Sequence, residues 1–134
     1  MQRLREQPRP AHRLKQSVIH PHRVRLQSLG CRLNEAELED WGARFEQAGL
    51  TVVADDEPAD LIVVNTCAVT REAARKSRQM LRKAQRTQPG ARLIVSGCLA
   101  TLEGDALGQV PGVDLIVGNA DKDRLVEIAL AALA

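Results

Sequence analysis

The sequence predicts an α/β fold, one open parallel sheet of about five strands with helices on both faces. Three observations carry this. Short apolar, β-branched runs recur at Val24–Ser28, Leu50–Val53, Leu61–Val64, Leu93–Val95 and Val113–Val117. Segments with helical spacing of apolar residues lie between most of them, and strand–helix alternation with right-handed crossovers gives a parallel sheet. Glycine, proline and asparagine punctuate the joints, at Gly30, Gly49, Pro89-Gly90, Pro111-Gly112 and Gly118-Asn119. A chain of 134 residues is enough for one domain with a packed core.

Residues 1–23 hold Pro8, Pro10 and Pro21, many charges and no apolar period, and read as a disordered basic arm ahead of a domain over residues 24–134. That arm is a solvated tail or a segment that attracts polyanions; a transit peptide is disfavoured by its prolines. The strand Val24–Ser28 turns at Gly30 and reaches Cys31. Asn34 with Glu37 three residues on forms a capping-box pattern, and Leu38, Trp41, Phe45 and Ala48 supply the inner face of the helix that Gly49 ends. Leu50–Val53 is short, as an edge strand is. Leu61–Val64 is apolar throughout, as expected of a central strand covered on both sides. Thr70 caps a helix over residues 71–87, with Ala73, Ala74, Ser77, Met80, Leu81 and Ala84 inward. Leu93–Val95 is followed by a short, weak helix at Leu99–Gly108, then by the last strand. Asp121 caps a final helix that turns Leu125, Ile128 and Ala132 inward. The short second strand at an edge gives the flavodoxin-like order 2-1-3-4-5.

Composition excludes several functions. No apolar run approaches the ~20 residues of a membrane span, so no membrane partner is expected. Six of the 19 Lys and Arg and all three His fall in residues 1–23, which leaves the folded part slightly acidic. Trp41 and Phe45 are the aromatic residues, so the domain lacks the stacking platforms with which proteins read single-stranded bases. The first strand is not followed by G-x-G-x-x-G, and no Walker A stretch occurs. Strands one and three end in Gly30-Cys31 and Thr66-Cys67 rather than in acids, which argues against a magnesium-dependent phospho-receiver site.

Cys31, Cys67 and Cys98 each stand just past the end of an apolar strand, in the contexts VRLQSLGC, LIVVNTC and RLIVSGC. In a parallel sheet those ends share one rim, where ligands bind. Strands one, three and four are neighbours in the expected order, so the three thiolates converge as a site for an iron–sulfur cluster. Three ligands would leave one iron of a four-iron cluster open. An odd number of distant cysteines fits a reduced, cytosolic protein better than a disulfide framework. Simple burial of the thiols is the plain alternative. Zinc lacks a C-x-x-C pair or a nearby histidine, and a lone catalytic thiol lacks a base.

The stretches SLGCRLNEAE, VVNTCAVT, EAARKSRQ, VSGCLA and PGVDLIVGN resemble the N-terminal domain of the tRNA methylthiotransferases, a radical-SAM family. Gly-Cys-Arg-Leu-Asn and Asn-Thr-Cys-Ala-Val-Thr bring it nearest the branch that acts on N6-threonylcarbamoyladenosine. The resemblance implies a flavodoxin-like domain in which Cys31, Cys67 and Cys98, matched by position, hold an auxiliary 4Fe–4S cluster. Its open iron is implied to carry the sulfur delivered to C2 of the modified adenosine beside the anticodon. S-adenosylmethionine and a second 4Fe–4S cluster belong to a following barrel domain with a C-x-x-x-C-x-x-C motif. That motif is absent here, so the radical-SAM barrel and a C-terminal RNA-binding domain are expected to lie outside this chain, which would be inactive alone and holds no catalytic residue.

On the helix over 71–87, Arg71, Arg75, Arg78, Arg82 and Arg86 fall in one stripe. It is either a solvated face or a contact for tRNA phosphates or for the missing catalytic domain. A non-catalytic metal-binding or interaction module of the same fold is the competing function.

Overall fold

The computed structural model describes residues 23–29, 32–54, 56–68, 70–107 and 112–133. The basic arm up to residue 22 and Cys31 lie outside them. Five strands form one parallel sheet: β1 (Arg23–Ser28), β2 (Thr51–Val53), β3 (Leu61–Thr66), β4 (Arg92–Gly97) and β5 (Leu115–Val117), in the order β2-β1-β3-β4-β5. The order is the one expected from sequence. Helices α1 (Arg32–Gln47), α2 (Arg71–Thr87), α3 (Cys98–Leu102), α4 (Gly104–Leu107) and α5 (Leu125–Leu133) connect or close the strands, and a 3₁₀ turn over Asn119–Arg124 leads into α5.

Alternate residues of the central strands feed two cores, because successive side chains of a strand point to opposite faces. Leu61 and Val63 of β3 and Ile94 of β4 pack with Trp41 and Phe45 of α1 and Leu125 and Ala129 of α5. Ile62, Val64, Leu93 and Val95 pack on the other face with Leu81 and Ala84 of α2 and Leu99 of α3. All six residues of β3 are buried, which explains its unbroken apolar run up to Val64. Among the described residues, no helix is long and apolar enough to cross a membrane.

Several boundaries differ from expectation, each for a visible reason. α1 starts at Arg32, so Asn34 falls inside its first turn rather than at its cap. Ala48 lies past the helix end and is exposed, while the helix approaches the sheet through Gly42, whose Cβ would sit 3.4 Å from Leu26. The last strand shortens to Leu115–Val117 because Asp114 engages Leu93 on its own terms: the Asp114 N–H donates to the Leu93 carbonyl (2.9 Å) and its carboxylate accepts from the Leu93 N–H (2.8 Å). Asp60 does the same one residue before β3, with its N–H on the Arg23 carbonyl and its carboxylate on the Arg23 N–H, both 2.9 Å. Leu99–Gly108 splits into two short helices at Glu103. Asp121 lies inside the 3₁₀ turn, whose cap is Gly118.

Arg25 was not anticipated. It is buried within β1 and donates to the Glu57 carbonyl. Glu57 in turn accepts the Ala54 N–H at 2.9 Å, so the acidic loop is tied down at both levels.

A candidate metal centre on the rim of the sheet

β3 and β4 end as a matched couple. Their ladder runs from Leu61↔Arg92 to Thr66↔Gly97, and the next residues are Cys67 and Cys98. Neighbouring strands lie ~4.8 Å apart, so the two cysteines leave the sheet from adjacent points on the rim. β1 reaches the same rim, since Ser28 pairs with Asn65. Cys31 lies outside the described residues; β1 ends three residues before it and α1 begins at the residue after it. The structure therefore brings two of the three expected thiols to one edge. Among the described residues, no three His, Cys, Asp or Glu side chains gather as a ready metal site, and both Cys67 and Cys98 are free thiols.

Gly97 sets how close those two turns come. Its φ of +96° is a left-handed value that side chains rarely adopt. A Cβ there would lie 2.2 Å from the Thr66 carbonyl oxygen, so a residue other than glycine would force the strand ends apart. Thr66 supplies the complementary fastening: its hydroxyl donates to the Ser96 carbonyl (2.5 Å) and accepts from the Ala100 N–H (3.4 Å). One side chain thus spans the turn that carries Cys98. Thr101 extends the brace, donating to the Gly97 carbonyl (3.2 Å) and accepting the Asn119 N–H (2.8 Å).

Cys67 is buried, whereas Cys98 is partly open. The Cys67 N–H donates to the Ser77 hydroxyl at 2.9 Å, and that hydroxyl donates to the Cys67 carbonyl at 3.1 Å. The segment between them ends at Thr70, which caps α2 as expected by accepting the Ala73 N–H at 3.0 Å. On the opposite side of the sheet Asn65, fully buried, donates to Glu37 at 3.0 Å, and Lys122 meets the same carboxylate at 2.8 and 2.9 Å. Sequence reading gave no sign of this group, since its members are far apart in the chain and none belongs to a local motif.

The arginines of α2 divide. Arg71, Arg75, Arg82 and Arg86 are exposed, while Arg78 is half-buried and grips both oxygens of Glu103 at 2.8 Å. Arg75 also reaches Glu72 of its own helix at 3.4 Å. Four guanidinium groups therefore remain on the outer face and one ties α2 to the α3–α4 junction.

Soft thiolates are the donors that iron–sulfur clusters use, so the donor types at this rim fit such a group. The fold is that of the receiver domain of the Francisella response regulator 1452, with a TM-score of 0.56, 16% identity, and coverage of 84% of this chain and 95% of that one. Sequence similarity is more specific. Threonylcarbamoyladenosine tRNA methylthiotransferase MtaB from Aquifex aeolicus (strain VF5) is 38% identical over 106 residues, 79% of this chain and 26% of that protein. The protein of the same name from Bacillus subtilis (strain 168) is 36% identical over 103 residues, 77% and 23%, and that from Treponema pallidum (strain Nichols) 40% over 105, 76% and 22%. The chain spans about a quarter of the length of these curated relatives. Their names agree with the resemblance carried by the cysteine motifs. Residues 23–118, from the first residue of β1 to the residue after β5, match one family model, and the chain belongs to that family, described as Uncharacterized protein family UPF0004.

Proposed function

We propose that this chain is the auxiliary cluster-binding domain of a cytoplasmic tRNA methylthiotransferase acting at C2 of N6-threonylcarbamoyladenosine, with Cys31, Cys67 and Cys98 as ligands of a 4Fe–4S cluster. The observation that carries the reading is the Thr66↔Gly97 pairing, which sends Cys67 and Cys98 off the sheet side by side. The names of the relatives support the substrate class. When bound, the cluster would supply an open iron for the sulfur to be transferred. The residues of this chain hold the ligands in place: Gly97 permits the close approach, Thr66 braces the turn after β4, and α2 anchors the turn after β3.

In this reading S-adenosylmethionine and the second cluster bind a domain outside this chain, and the chain alone does not methylthiolate tRNA. Arg71, Arg75, Arg82 and Arg86 face tRNA phosphates or the catalytic domain, with Arg78 a structural member of the stripe. Anaerobic reconstitution with ferrous iron and sulfide tests the proposal. About four irons per chain and a Mössbauer signature of one distinct iron site are expected. Failure of the wild-type chain to retain iron after desalting would overturn it.

A further inference from the structure

We propose that Ser77 is a positioning residue for the Cys67 thiolate, through the clasp its hydroxyl makes on the Cys67 backbone. The proposal rests on the cluster-domain reading above. Ser77 is fully buried in α2, on the face shared with Leu81 and Ala84. A serine inside a helix ordinarily faces water or bonds the carbonyl one turn back. Here the hydroxyl accepts the Cys67 N–H at 2.9 Å and donates to the Cys67 carbonyl at 3.1 Å.

The choice of residue follows from where the sheet stops. The β3–β4 ladder ends at Thr66↔Gly97, so the Cys67 N–H and carbonyl lie in the buried layer past the last strand pair. A buried backbone group without a partner is costly, and such groups are paired almost everywhere in proteins. Ser77 satisfies both groups of this one residue with a single hydroxyl. The turn can therefore leave the sheet at Cys67 and still be fixed in place, which a cluster ligand needs and a packed thiol does not. An alanine in the same small-residue stripe would pack as well and leave the turn loose.

The test compares thiol reactivity in the apo chain with metal uptake. Cys67 and Cys98 are alkylated with iodoacetamide at fixed pH, and each rate is followed by mass spectrometry. Ser77→Ala is expected to speed alkylation of Cys67 about tenfold, equivalent to 1.4 kcal/mol, with the Cys98 rate within about twofold of wild type. General loosening of the fold would instead raise both rates together. After loading with ferrous iron and sulfide, the variant is expected to retain less than half the wild-type iron. If Ser77→Ala does not fold, Ser77→Thr and Ser77→Val replace it, since they match in shape and differ in the hydroxyl; the valine variant should then show the faster Cys67 rate. Equal Cys67 rates with and without the hydroxyl, in folded protein, would overturn the proposal. A wild-type chain that takes up no iron would sink the cluster reading while leaving the rate comparison intact.

Discussion

Gly97 and Gly49 offer a matched pair of substitutions. Their φ angles are +96° and +97°, so alanine at either carries the same backbone penalty, about 1–2 kcal/mol for a left-handed residue. Their surroundings differ. A Cβ at Gly49 meets nothing within 4 Å, whereas at Gly97 it would lie 2.2 Å from the Thr66 carbonyl oxygen and 2.7 Å from the Thr66 nitrogen. Those are backbone atoms locked in a ladder, so β3 and β4 must part by roughly 1 Å, and overpacking of that kind adds about 1–3 kcal/mol. Gly97→Ala is therefore expected to cost about 2–5 kcal/mol and Gly49→Ala about 1–2. Urea unfolding followed by circular dichroism measures both, and an unchanged slope validates the comparison. In heat the extra cost corresponds to a further drop of at least ~4 °C in Tm. Equal losses in the two variants would refute the close approach of the strand ends, and with it the geometric basis of the metal site.

Other substitutions test other links. Phe45→Ala removes a fully buried ring from the α1 side of the sheet and should cost about 3–5 kcal/mol by chemical unfolding. Lys122→Met leaves the Glu37 carboxylate, 24% exposed, without its cation and should cost about 1–3 kcal/mol, whereas Arg75→Ala breaks a pair exposed on both sides and should change stability by less than about 1 kcal/mol. Replacing Arg71, Arg75 and Arg82 together by glutamate, in a complete enzyme carrying this domain, should weaken tRNA binding and flatten its salt dependence by about one unit of slope per lost phosphate contact; an unchanged slope would assign the stripe to solvent. Cys98→Ser should lower the iron retained after reconstitution to less than half of wild type while circular dichroism stays native.

The sequence foretold what is local or periodic. Runs such as Leu61–Val64 and Leu93–Val95 announced central strands, the short Leu50–Val53 announced an edge, and Thr70 announced the start of α2. The position of Cys67 and Cys98 just past strand ends was legible for the same reason. Pairings between distant residues were not. Glu37 meets Lys122 across 85 positions, Arg78 finds Glu103, and Ser77 clasps Cys67; none leaves a periodic trace. Ser77 looked like one small residue among the alanines of a packing face, because a buried hydroxyl and a methyl occupy similar space. Arg25 was hidden by its neighbours, since alternation in a strand normally places a charge in water. Asp114 shifted the start of the last strand for a different reason. A carboxylate can replace a ladder partner, and composition does not distinguish that from a loop acid.

The two ends of the sheet are fastened with different chemistry, and the difference bears on the site. At the N-terminal ends Asp60 and Asp114 bind through their carboxylates the backbone N–H of Arg23, the first residue of β1, and of Leu93, the second of β4. At the C-terminal ends the same work falls to the hydroxyls of Thr66, Ser77 and Thr101. Either group can accept a backbone N–H, so geometry alone does not choose between them. Charge does. A rim that bears thiolates becomes more negative with each nearby carboxylate, and like charges in a partly buried layer raise the cost of ionising a thiol. Hydroxyls fasten the turns without that penalty, and Glu37 and Glu103 are each held by a cation, Lys122 and Arg78. Replacing Ser77 by aspartate would keep an acceptor for the Cys67 N–H and place an anion beside the cysteine. Lower metal retention in a folded Ser77→Asp variant than in its neutral isostere Ser77→Asn, which also lacks the hydroxyl, follows if charge governs the rim, and equal retention in the two would show that it does not.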